Sequence, residues 1–106
     1  MTPHDDIISR LQAWYVRQCD GDWEHAYGVE IRTLDNPGWR VRIDLTDTDL
    51  DGRSFQPIAR GLDDTASIDW HSLSVKDNKF EGAGDPSKLG FILRTFLEWA
   101  AEASDA

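Results

Sequence analysis

One cysteine, Cys19, leaves no partner for an internal disulfide, so nothing in the chain calls for an oxidising compartment. Bases are also scarce: 11 Lys and Arg stand against 20 Asp and Glu, a formal net charge of -9. That deficit argues against nucleic acid as a direct ligand, because such binding rests on neutralising phosphates with Lys and Arg. It argues equally against an anionic membrane surface. No run approaches the roughly 20 apolar residues that cross a bilayer. The first residues carry Asp5 and Asp6 where a secretory signal needs bases, and a cytoplasmic location is the expectation. No internal repeat or linker divides the 106 residues, so one domain over 1–106 is expected. A single modest core should give a stability of about 5–10 kcal/mol.

Hydrophobic periodicity organises what is present. Ile7, Ile8, Leu11, Trp14, Tyr15 and Cys19 recur at helical spacing behind a Thr2 cap and Pro3. Asp20-Gly21 should end this helix. Tyr27, Val29, Ile31 and Thr33 alternate with Glu30 and Arg32. Trp39, Val41, Ile43 and Leu45 alternate with Arg40, Arg42 and Asp44. With Asn36-Pro37-Gly38 between them as a type II turn, these runs predict an antiparallel hairpin with one buried face.

A third strand is expected near Arg53–Ile58, limited by Pro57, and a polar loop over Arg60–Ala66. Ser67–Lys76 returns to strand character with a phase slip that suggests a bulge. Asp77-Asn78 turns into a short strand over Lys79–Gly82. Gly82-Ala83-Gly84 reads as punctuation, Asp85 as a cap and Pro86 as the first helical residue. Leu89, Ile92, Leu93, Phe96, Leu97, Trp99 and Ala100 mark a closing helix, fraying beyond Ala103. The order predicts an α+β domain: an N-terminal helix, an antiparallel sheet of about four to five strands, and a C-terminal helix, with both helices on one face.

Several constellations invite chemistry. Asp20-Gly21-Asp22-Trp23-Glu24 resembles the opening of a calcium loop, but His25 stands where glycine is needed and Ile31 where a bidentate Glu belongs. Cys19 with His25 suggests a thiol nucleophile, yet Asp20, Asp22 and Glu24 would oppose the thiolate. A small enzyme using Cys19 and His25 is thus an alternative in another class. His4, His25 and His71 with Cys19 lack zinc spacing. Gly82-Ala83-Gly84 lacks the Lys-Ser/Thr of a phosphate loop. No catalytic, cofactor or metal residue is therefore assigned.

Acids remain. Asp47, Asp49 and Asp51 crowd the end of the second strand, with Asp44, Asp63, Asp64 and Asp69 elsewhere. Such a surface suits capture of a basic protein. Asp20, Asp22, Trp23, Glu24, Asp47, Asp49 and Asp51 are the candidate partner contacts. Trp23, in a connection, is the expected exposed anchor, and the other four tryptophans are expected in the core.

The stretch Cys19–Trp39, CDGDWEHAYGVEIRTLDNPGW, resembles the hallmark of the immunity protein 53 family of bacterial polymorphic toxin systems. The preceding LQAWYVRQ, the following RVRIDLTDTDL and the late DW…VKDNKFEGAGDPSKLGFILRTFLEWA are similar to it as well. Trp14, Tyr15, Cys19, Asp20, Gly21, Asp22, Trp23, Glu24, His25, Gly28, Leu34, Asp35, Asn36, Pro37, Gly38 and Trp39 occupy the hallmark positions. The resemblance implies a cytoplasmic, non-enzymatic protein that binds and blocks a cognate toxin domain. A non-toxin adaptor is a further alternative. Nothing in the sequence sets an oligomeric state.

Overall fold

The computed structural model describes residues 3–62 and 68–105, with side chains over 6–62 and 68–102. Thr2, Asp63 and Asp64 lie outside them. Helix α1 spans Pro3–Gln18 and a four-residue helix α2 spans Trp23–Ala26. Strands β1 (Val29–Leu34), β2 (Gly38–Asp44), β3 (Ile58–Arg60), β4 (His71–Lys76) and β5 (Lys79–Gly84) follow, then α3 (Leu89–Asp105). All strand pairs are antiparallel, in the order β1-β2-β5-β4-β3. The predicted α+β class holds.

Alternation decides the sheet's two faces. Val41, Ile43, Leu73, Phe80 and Gly82 point to the helices and are buried. Arg40, Arg42, Asp44, Ser72, Ser74, Lys79 and Glu81 point the other way, to a face without a covering layer among the described residues. On the inner face Trp14 of α1 meets Phe96 of α3 edge-on at 5.0 Å, and Phe96 meets Phe80 of β5 at 5.1 Å. Phe55 continues the contact to Trp99, whose Nε1 donates to the Ser54 carbonyl at 3.0 Å. The segment between β2 and β3 is thereby held on the core, with Leu50 buried.

Glycine lets α3 come close. A Cβ on Gly82 would lie 2.6 Å from Ile92 Cγ2, and one on Gly84 2.6 Å from Lys88 Cβ. The predicted punctuation at Gly82–Gly84 is therefore strand, with glycine serving helix–sheet approach instead of a turn. Gly38 is corrected likewise. It begins β2, its φ is not positive, and a Cβ there would strike the Gly84 carbonyl oxygen. Without positive φ at Gly38 the loop is not the expected type II turn, and its Asn36–Pro37 bond is cis. The β4–β5 turn does follow its sequence: Asp77 and Asn78 both take positive φ, the pair needed for a type I′ hairpin.

Other expectations shift for local reasons. Strand β3 starts at Ile58, directly after Pro57, because proline has no N–H for the ladder. No bulge interrupts β4. The phase slip arises because the strand starts only at His71, so Ile68 is not part of its alternation and stands exposed. Pro86 is not the first helical residue: residues 85–88 form a turn and α3 begins at Leu89.

Asp85 is 3% exposed and holds that turn. Its carboxylate accepts from Ser87 N, Ser87 Oγ, Trp70 N and Lys88 Nζ. Lys88 above all, then Ser87, keep its carboxyl well below the usual carboxylate range. Lys88 also pairs with Asp69. A depressed carboxyl adds stability above its ordinary value and loses it as pH falls through the folded value.

Phe96 touches both long helices' partners in the core, so Phe96→Ala should cost about 3–5 kcal/mol in urea unfolding. Val16, 65% exposed on α1, is the contrast: Val16→Ala should change stability by less than about 0.5 kcal/mol. Equal losses would misplace the core.

Candidate functional site

The helix end and the carboxylates after it form one locally bonded unit. Gln18 Nε2 donates to the Trp14 carbonyl at 2.9 Å and Cys19 Sγ to the Tyr15 carbonyl at 3.3 Å, satisfying last-turn acceptors. Gly21 then takes φ +95. Asp20 Oδ1 accepts from the backbone N–H groups of Asp22 (3.0 Å) and Trp23 (2.9 Å). Glu24 reaches back to the N–H groups of Asp20 (3.0 Å) and Gly21 (2.9 Å). The bonds are reciprocal, like those of a capping box, but they close the turn that leads into α2: its N-cap, Asp22, makes no side-chain cap bond. The pattern that looked like a calcium loop spends two of its carboxylates on its own backbone.

Trp23 is corrected. It is 3% exposed, packed edge-on against Trp14 at 6.1 Å, with its Nε1 donating to the Thr46 carbonyl at 2.9 Å. A four-residue helix turns the indole inward, so it cannot be the exposed anchor. Its bond to Thr46 has a larger effect, since Thr46 adjoins the second acidic stretch. There Asp51 Oδ2 accepts from Asp47 N at 2.8 Å, and Asn78 Nδ2 donates to Thr46 Oγ1 and Asp51 Oδ1. Gly52 N donates back to Asn78 Oδ1. The two predicted acidic stretches thus meet at one end of the molecule.

Asp20, Asp22, Asp47, Asp49 and Asp51 are exposed there and Glu24 is half-buried. None forms an ion pair among the described residues. Backbone N–H groups lower the Asp20 carboxyl, Trp23's first and Asp22's next. Those of Glu24 itself, Asp20 and Gly21 lower Glu24. Asp44 faces the open side of the sheet, 3.9 Å from Lys79. Asp69 stands at the opposite end of the sheet with Lys88 and Arg60.

Cys19 and His25 are not joined by any hydrogen bond among the described residues. His25 is exposed on α2, and Cys19 is half-buried against Tyr15. His71 lies buried beside Phe91, and burial above all pushes its pKa down. Among the described residues no three His, Cys, Asp or Glu side chains converge to hold a metal ion.

One surface escaped the sequence. Leu11, Gln12, Tyr15, Tyr27, Gly28 and Val29 line an open groove of about 460 Å³ between α1 and β1. Strand β1 is an edge, and its apolar face is only partly covered: Ile31 is 40% and Ile8 50% exposed, where both were expected to be buried. Alternation finds an apolar face but does not say how far a helix extends over it.

Among the described residues no helix is long and apolar enough to cross a membrane. The family model described as Immunity protein 53 matches residues 8–101. No curated protein and no solved structure matches the chain.

Because Asp20 and Glu24 are stabilised as anions by N–H donors, their carboxyls should titrate below the ordinary Asp and Glu values, and α2 should hold until pH falls through those lowered values. Carboxyl carbon shifts followed by NMR across acid pH would show this. Ordinary midpoints would mean these carboxylate–backbone bonds are not formed.

Proposed function

The chain belongs to the immunity protein 53 family, and we propose on that premise that it neutralises a cognate bacterial toxin domain by direct protein–protein contact. The family match over residues 8–101 carries this reading. The toxin domain would be made beside it in a polymorphic toxin system, and the encounter would take place in the cytoplasm. The protein would act as a non-enzymatic inhibitor.

We place the contact at the acidic end, on Asp20, Asp22, Glu24, Asp47, Asp49 and Asp51. What supports this is the meeting of two acidic stretches without ion-pair partners, in a chain of net charge -9. Trp23 would position this surface from beneath and touch no partner. A basic toxin domain fits such a surface, since opposite potentials accelerate encounter and fix orientation. A nuclease is the class that fits best, because a cleft built for a polyanion offers the complementary charge.

Co-expression tests the main claim. The protein should rescue cells from the toxin encoded beside it, and failure to rescue would end the reading. Asp22 and Asp49 test the surface, because their carboxylates accept no hydrogen bond and form no ion pair among the described residues and can be reversed without loosening a turn. Asp22→Lys with Asp49→Lys should slow association with the toxin about tenfold and flatten its salt dependence. Unchanged kinetics would move the contact elsewhere.

A further inference from the structure

The two edges of the sheet differ. Strand β3 is three residues long and follows Pro57, so it offers little to an incoming strand. Strand β1 runs for six residues without proline, glycine or bulge. Asp44 N donates to the Gly28 carbonyl at 3.1 Å, which fixes the alternation of the β1–β2 ladder. Glu30, Arg32 and Leu34 therefore bond to β2, while the backbone groups of Val29, Ile31 and Thr33 point out to the open edge. Among the described residues no backbone bond outside the ladder reaches these three.

The charges on β1 are also unspent. Glu30 and Arg32 are exposed on the open face of the sheet, and neither has an ion-pair partner among the described residues. Register places Glu30 opposite Arg42 and Arg32 opposite Arg40, yet both Arg40 and Arg42 turn to Glu81 on the far side. Arg32 is left facing a like charge, an arrangement that is unfavourable across a strand pair.

We propose that β1 pairs antiparallel with β1 of a second copy of this chain, about a two-fold axis through Ile31. In that register Val29 stands opposite Thr33 and Ile31 opposite Ile31, so the outward N–H and C=O groups meet their complements. Glu30 of each copy falls directly opposite Arg32 of the other. The choice of occupant rests on this charge pattern, which reads the same from both strands. Sliding one strand by two residues either way sets Glu30 against Glu30 or Arg32 against Arg32, so charge selects the register that the backbone alone would leave open. The exposed Ile31 side chains meet on the helix side of the axis. The acidic end and the inference about it are independent of this pairing.

Sedimentation of the full chain across a dilution series tests it. The wild type should pass from the mass of one chain to that of two as concentration rises. Glu30→Arg and Arg32→Glu, each alone, set like charges opposite each other and should weaken association about tenfold or more. Mixing the two variants should recover it, and so should the double variant E30R/R32E, because both restore opposite charges across the axis. Recovery also shows that neither substitution unfolds the chain. A wild type that stays at the mass of one chain overturns the proposal. So does a two-chain species indifferent to both reversals. Protection of the Val29, Ile31 and Thr33 amides from exchange only when toxin is present would assign the edge to a strand of the toxin instead.

Discussion

Phe96 is the point at which both long helices and the sheet are joined. Its ring takes the edge of Trp14 on one side and packs on Phe80 on the other, with Trp99 one turn further along its own helix. Through Trp14 the contact extends to Trp23, and through Phe80 to Phe55. One column of rings thus reaches α1, α2, α3, β5 and the segment after β2. Aromatic pairs in such edge-on geometry add to the stabilisation from buried area. The approach depends on residues that carry no ring: Gly82 and Gly84 leave the space into which Ile92 and Lys88 descend.

The two ends of the sheet are closed by different chemistry. At the Gly84 end a buried carboxylate, Asp85, collects two N–H groups, a hydroxyl and an ammonium, and the charge is neutralised on the spot by Lys88. At the Leu45 end, closure is by the Trp23 indole, the Thr46 carbonyl and hydroxyl, and the Asn78 amide, which also donates to the Asp51 carboxylate. The carboxylates of Asp20, Glu24 and Asp51 there bond to N–H groups of the backbone or of Asn78 and keep their net charge. The same residue types therefore give a neutral knot at one end and an anionic surface at the other. The proposed capture of a basic partner rests on that second arrangement.

Much of the architecture was legible because it is periodic. The α1 and α3 stripes, the β1–β2 hairpin and the Asp77-Asn78 turn follow from spacing and from residues that accept positive φ. Features decided across the fold were not. Trp23 looked exposed because four helical residues are too few to show a period, and only Thr46 reveals where its indole goes. Gly38, Gly82 and Gly84 looked like turn residues because a sequence does not distinguish glycine kept for φ from glycine kept for clearance. Asp85 had the composition of a helix cap but serves a turn one step earlier. The acids were visible as a count, whereas their convergence depends on the bond from the Trp23 indole to the Thr46 carbonyl, between residues far apart in sequence. The edge position of β1, and with it the exposure of Ile31, depends on strand order, which alternation does not encode.

The sheet also keeps one face out of the core. Arg40, Arg42, Ser72, Ser74 and Glu81 stand on it, joined by ion pairs of 3.4 and 3.8 Å that are about a third exposed. Exposed pairs of this kind contribute about 1 kcal/mol or less. Their side chains can therefore be exchanged without repacking anything beneath them, since the inner residues of the same strands alone carry the fold. A lineage under pressure to recognise a changed partner could rewrite this face one residue at a time. Folding stability would hardly register the edits.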